Sequence, residues 1–215
     1  MAKHTEPSWL LKRYAYDQYY QRFIGRTVDG GAKVLRDGGQ ILVKLPDVWK
    51  FRKDERAVGA QEGWSKPDLN DADWQDFATV SKSWDDQGLG FYHGDGWYRV
   101  RFTMPAADEP AKGRAEARTT NQDVRLWFGG FDYNVDVYLN GVSLGEKKGF
   151  ATPAEFDGIA PHLKLGGENV LAVRVSAGDL AELGTGGIMM PVLIYRSSAP
   201  KAPQKEPKKG GGYEM

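Results

Sequence analysis

The sequence predicts an all-β domain, a sandwich of short antiparallel strands. Two observations carry this. Short segments alternate apolar and polar residues with a period of two, as half-buried strands do. Turn residues then separate them, with 27 glycines in 215 residues and an Asn-Gly pair at 140–141. Together these indicate two sheets, each with one apolar and one wet face.

Taken in order, residues 7–24 (PSWLLKRYAYDQYYQRFI) place Trp9, Tyr16, Tyr20 and Phe23 at helical spacing, and Gly25 stops that helix. Residues 26–40 are a turn-rich connection, so 1–40 reads as an N-terminal helix and its link. Residues 41–196 form the main domain. In WYRVRFTM (97–104), Tyr98, Val100, Phe102 and Met104 face one way, and Arg99, Arg101 and Thr103 the other. DVRLWF (123–128) aligns Val124, Leu126 and Phe128. NVDVYLNGVSL (134–144) aligns Val135, Val137 and Leu139 up to Asn140-Gly141, a hairpin signal because both residues tolerate the positive φ of a type I′ turn. NVLAVRV (169–175) and PVLIYR (191–196) complete the set. Residues 197–215 are rich in Pro, Lys and Gly with almost no apolar content, the composition of a disordered tail or linker.

Composition removes several functions. The 29 Lys+Arg balance 29 Asp+Glu, which argues against electrostatic capture of nucleic acid or an anionic membrane. With no cysteine there is no disulfide or thiolate chemistry. His4, His93 and His162 are too dispersed for a local metal motif. No apolar leader or transmembrane span is visible, so the chain reads as soluble; a piece of a longer secreted or periplasmic protein fits equally. GLGFYHGDG is not followed by a helix, and GTGG lacks Lys-Ser/Thr, so neither is a nucleotide loop.

The ordered series WKFRKD (49–54), EGW (62–64), DADW (71–74), Trp84, GLGFYHGDGWYRVRF, VRLWFGGFDYNVDVYLNG, GEKKGFATPAEFD, GGENVLAVRV and GGIMMPV resembles the N-terminal sugar-binding domain of glycoside hydrolase family 2, the β-galactosidase, β-glucuronidase and β-mannosidase group. The resemblance covers residues 41–196 and implies a jelly-roll sandwich of the galactose-binding-like type. It also implies that the catalytic glutamates belong to a separate (β/α)8 barrel, whose pattern of about 250 residues is not present here. The expected role is therefore non-catalytic: carbohydrate recognition through edge loops, with glycans and a catalytic barrel domain as partners. The alternatives are a structural interdomain module without sugar affinity and, with least support, a stand-alone hydrolase.

Candidate ligand residues follow from side-chain chemistry: aromatic rings stack on the apolar face of a pyranose, and polar groups orient its hydroxyls. Trp64, between Gly63 and a polar loop, is the expected exposed platform, while Trp74 and Trp97 are assigned to the core. Trp84, Asp86, His93 and Asp95 form a polar-aromatic cluster near a strand entrance; His93 and Asp95 either face a sugar or shape a turn. Arg99 is either solvated or paired with neighbouring carboxylates, or it lines a concave face that holds a sugar or another domain. The resemblance implies an acidic residue in the 176–188 loop, where Asp179 and Glu182 are available. Met189 and Met190 replace the family's usual polar continuation and suggest a contact with another domain. No cofactor is expected; carboxylates at 71, 73, 85, 86 and 95 suit a structural calcium ion.

Overall fold

A computed structural model describes residues 39–90, 92–106, 124–177 and 186–197. The helix expected over 7–24, the tail beyond Ser197, Asp179 and Glu182 lie outside the described residues.

Nine strands are described: β1 (Gln40–Lys44), β2 (Val48–Asp54), β3 (Gln75–Ala78), β4 (Asp95–Thr103), β5 (Val124–Leu139), β6 (Val142–Phe156), β7 (Glu168–Ser176), β8 (Gly187–Ile188) and β9 (Val192–Arg196). They pair in the order β1-β9-β5-β7-β4-β2-β3, with β6 and β8 also on β5. Every strand pairing is antiparallel.

The long strand β5 makes this a two-layer structure. Its first part, Val124–Phe128, pairs with β9, and its last part, Asn134–Leu139, pairs with β7. Between them the register with β6 shifts around Phe131 and Tyr133, and Tyr133 takes φ 75°. Bulges of this kind bend a strand and increase its twist. The β5–β6 hairpin thus passes from one layer into the other. Alternation places Trp49 and Phe51 of β2, Tyr98, Val100 and Phe102 of β4, and Leu171, Val173 and Val175 of β7 on the inner face. Val124, Leu126 and Phe128 of β5 and Val192 and Ile194 of β9 join them in one core cluster.

The hairpin turn forms at Asn140 (φ 51°) and Gly141 (φ 83°), as the Asn-Gly pair predicts. Asn140 has a second role. Its side chain donates to the His162 carbonyl (2.7 Å) and to Asn169 Oδ1 (2.8 Å), and accepts the Val170 N–H (2.9 Å). The turn is thereby tied to the start of β7.

The outer face of β2 and β4 corrects an expectation: it is wet only in part, with Trp97 and Arg99 buried while Arg101 and Thr103 stay exposed. The 55–74 segment folds back over it, and Trp64, Trp74 and Trp97 form a second apolar cluster. Asp54 holds the start of this loop by accepting the N–H groups of Val58 (2.8 Å) and Gly59 (2.8 Å) and the Trp97 indole N–H (3.1 Å). Position 59 needs glycine, because a Cβ there would lie 2.4 Å from the Trp97 indole nitrogen. A second correction concerns Met189 and Met190. Both are buried, and a Cβ on Gly130 would lie 3.0 Å from the Met190 side chain, so they pack within the domain rather than awaiting a neighbour.

Candidate functional site

The structure distributes the expected site residues unevenly. Trp84 is 2% exposed; its indole N–H donates to the Tyr98 hydroxyl at 2.7 Å, and its ring packs on Phe51. It is therefore out of reach of a sugar. The reason is that backbone bonds from Trp84 to Gly186 (2.9 Å) and from Leu89 to Trp84 (2.9 Å) turn the ring inward, where alternation alone is silent. Asp86 accepts the Ser83 N–H at 2.8 Å and shapes the same turn. Asp95 opens β4, accepts the Ser176 hydroxyl, and lies 3.5 Å from the Arg174 guanidinium, which also pairs with Asp136 at 2.6 Å. Burial alone would lower the Arg174 pKa, but Asp136, with Asp95 and Tyr138, holds it above the ordinary value. His93 is exposed on the preceding loop.

Of the readings open for Arg99, the structure takes pairing with a carboxylate over solvation: the side chain is completely buried. Its Nε donates to Asp71 Oδ2 at 2.8 Å and its Nη1 to the Trp64 carbonyl, while its Nη2 is buried without a hydrogen-bond partner. Burial lowers its pKa and Asp71 opposes the shift. Arg101 joins from the rim, donating to the Pro67 (3.2 Å) and Leu69 (3.0 Å) carbonyls. The pair thus clamps the loop to the sheet. The carboxylates expected around calcium are dispersed, Asp71 to this clamp and Asp73 to Arg52. Among the described residues no three His, Asp or Glu side chains come together to hold a metal.

What the fold does assemble is a groove of about 520 Å³ between β2, the 55–64 loop and the start of β3. Trp64 and Trp74 form its floor, with ring centroids 5.2 Å apart and planes at 66°. Trp64 is 7% exposed and Trp74 4%, which corrects the expectation of an open platform. The groove side of both rings is covered by Arg52, whose guanidinium lies 5.6 Å from the Trp64 centroid and 5.1 Å from that of Trp74. Arg52 also pairs with Asp73 at 2.5 Å, with side-chain exposures of 37% and 72%. An exposed ion pair is worth about 0–1 kcal/mol and an exposed cation–π contact about 0.5–1 kcal/mol. Around the rim, Glu62 accepts the Trp64 indole N–H at 3.0 Å, and Lys53 pairs with Glu55 at 2.7 Å. Arg56 and Gln75 also line it. Lys53 reaches 5.5 Å over the Tyr92 ring, so the groove ends beside the 92–95 loop. Burial, then Glu55, Asp54 and Asp95, push the Tyr92 phenol up to about 12.

Of the expected ligand residues that are described, Trp64 alone lines this groove. Arg52, Glu62 and Gln75 carry no ligand signal in the sequence, and Asp73 enters it only as a candidate calcium carboxylate. Alternation in WKFRKD does mark Arg52 as outward-facing, but its meeting with Asp73 and two tryptophans depends on a loop path that no period reveals.

In class, this is a two-layer antiparallel β-sandwich domain with a tryptophan-floored groove on one outer face. More particularly, the chain belongs to the family described as beta-galactosidase second all-beta domain, whose model matches residues 59–181, more than half of the chain. A β-glucuronidase of Formosa agariphila is 30% identical over 140 residues, which is 60% of this chain and 12% of that protein. Beta-galactosidase BoGH2A of Bacteroides ovatus is 31% identical over 134 residues, 59% of this chain and 14% of the relative. The chain thus spans about an eighth of these relatives' length. Among solved structures, a β-glucuronidase of Ruminococcus gnavus superposes with a TM-score of 0.56 at 21% identity, over 72% of this chain and 28% of that one. A β-glucuronidase from an uncultured Clostridium sp. gives 0.57 at 26%, over 74% and 29%. The chain is a glycoside hydrolase family 2-type domain, and its β-sandwich is the fold of the corresponding part of those enzymes. No helix among the described residues is long and apolar enough to cross a membrane.

Proposed function

We propose that this chain is a non-catalytic accessory domain of a β-galactosidase- or β-glucuronidase-type glycosidase and that it recognises carbohydrate. The observation that carries this is the groove over Trp64 and Trp74. Its volume of about 520 Å³ suits a ligand of a few sugar units. Two angled aromatic rings offer apolar area to pyranose C–H groups, and alternating carboxylate, amide and guanidinium groups surround them. Bond breaking is assigned to a catalytic barrel domain of the parent protein, since the groove's carboxylates are engaged in ion pairs and hydrogen bonds rather than facing each other across open space.

The test is calorimetric titration of the 215-residue chain with methyl β-galactoside, methyl β-glucuronide and neutral tetrasaccharides of the cello, xylo, manno and galacto series. Indole N–H resonances are followed by NMR in parallel. Saturable heat together with shifts of the Trp64 and Trp74 indoles supports the reading. A folded protein that gives no heat with any of them sinks it. That outcome would favour the structural interdomain reading, which is supported by the small share of its relatives that the chain spans.

A further inference from the structure

The tryptophan cradle is closed in this structure by one of the protein's own side chains. Arg52 projects from the outer face of β2, lies over both Trp64 and Trp74, and is held at its tip by Asp73. The ring contacts that bury these tryptophans from beneath are of another kind. Trp64 meets Trp97 at 6.2 Å, and Gly59 is pressed between Trp64, Trp97 and Asp54. The floor is therefore built into the fold, whereas the cover is a flexible side chain in an exposed ion pair.

We infer that Arg52 is a displaceable cover on a cradle that takes a neutral pyranoside. This rests on the carbohydrate reading of the groove and goes beyond it in naming both the gate and the ligand's charge. Displacement of Arg52 leaves Asp73 unpaired beside two exposed indole faces. Asp73 then becomes an acceptor for sugar hydroxyls, and Glu62, already on the Trp64 indole N–H, has further acceptor capacity. With Arg52 swung out, the carboxylates of Glu62 and Asp73 flank the rings. The lining then keeps Lys53 and Arg56 against Asp54, Glu55, Glu62 and Asp73, so a carboxylated sugar meets net like charge there, whereas a neutral one meets acceptors.

The experiment compares the full chain with Arg52→Ala, using the neutral tetrasaccharides and methyl β-glucuronide as probes. A cover held by one exposed ion pair and two cation–π contacts costs binding on the order of tenfold. Arg52→Ala is therefore expected to bind the neutral probe about tenfold more tightly. Binding by the unmodified chain should strengthen as salt screens Arg52 from Asp73, and the variant should lose that dependence. Arg52→Gln, which keeps most of the stem and drops the charge, gives the same direction with a smaller gain and serves if the alanine variant fails to fold. Weaker or unchanged binding in both variants overturns the cover, because Arg52 would then be a sugar ligand or a bystander. Preference for the glucuronide overturns the neutral class. Binding that leaves the Trp64 and Trp74 indole signals unmoved places the sugar elsewhere and overturns the groove. No binding by any folded form removes the carbohydrate reading and this inference together.

Discussion

At the residue scale, the buried Arg99–Asp71 pair has the largest energetic consequence. A guanidinium with no exposure keeps its charge only beside a partner, and Asp71 is that partner. Removing one member of a buried pair strands the other and typically costs about 3–5 kcal/mol, whereas replacing both with apolar groups is often neutral. Asp71→Asn is expected to lower stability by about that amount in urea unfolding, and the double change Asp71→Leu with Arg99→Met to recover much of it. If the losses of Asp71→Leu and Arg99→Met, each made alone, simply add in the double variant, the pair is not a coupled unit. The tyrosines give a second residue-scale expectation. Burial foremost raises the phenols of Tyr92, Tyr133 and Tyr195 from the ordinary 10.0 to about 12, and Tyr98 further still. Unfolded phenols ionise first as pH rises, so between those values the folded state holds more protons and stability falls with pH. The stabilisation is fully present below pH 10 and drains away toward about 12. Melting temperatures that stay flat across that window would contradict the burial of these rings.

At the element scale, the turn at Asn140-Gly141 shows how one short signal does two jobs. Its φ values close the β5–β6 hairpin, and the Asn140 amide binds His162, Asn169 and Val170. Asn140→Gly keeps the backbone freedom and loses the three hydrogen bonds; Asn140→Ala loses both. The alanine variant should therefore be the less stable, with the glycine variant between it and the natural chain, by roughly 1–3 kcal/mol overall. Thermal unfolding of the three proteins checks this order. Equal losses in the two variants would show that the side chain alone matters.

At the scale of the whole molecule, β5 belongs to both layers, and the 55–74 loop is clamped onto the sheet by Asp54, Arg99 and Arg101. The second tryptophan cluster should therefore melt with the main core. Tryptophan fluorescence and far-UV circular dichroism are expected to report coincident transitions. Hydrogen exchange should be slowest in β4, β7 and the second part of β5, which are paired on both sides. It should be fastest in β1 and β3 at the ends of the sheet. An early fluorescence transition would show that the loop is an independent unit.

Much of the sandwich was legible because a strand's side-chain period is fixed locally. Alternation identified the inward residues of β4, β5 and β7, and Asn-Gly identified the hairpin. The order of motifs from WKFRKD to GGIMMPV pointed to the family. The outer face was not legible. Period two separates two faces but does not say which is later covered, so it leaves Arg99 open between solvation and pairing and marks Trp64 as an open platform. Their real surroundings come from residues such as Asp71 and Gly59, far along the chain or significant only through what they leave room for. By itself, the sequence determined the alternating strands β4, β5, β7 and β9, the Asn140-Gly141 turn and the family. Only the tertiary structure decided which polar residues are buried and which aromatics line a groove, because burial is a property of what packs on a face and local periodicity carries no record of that partner.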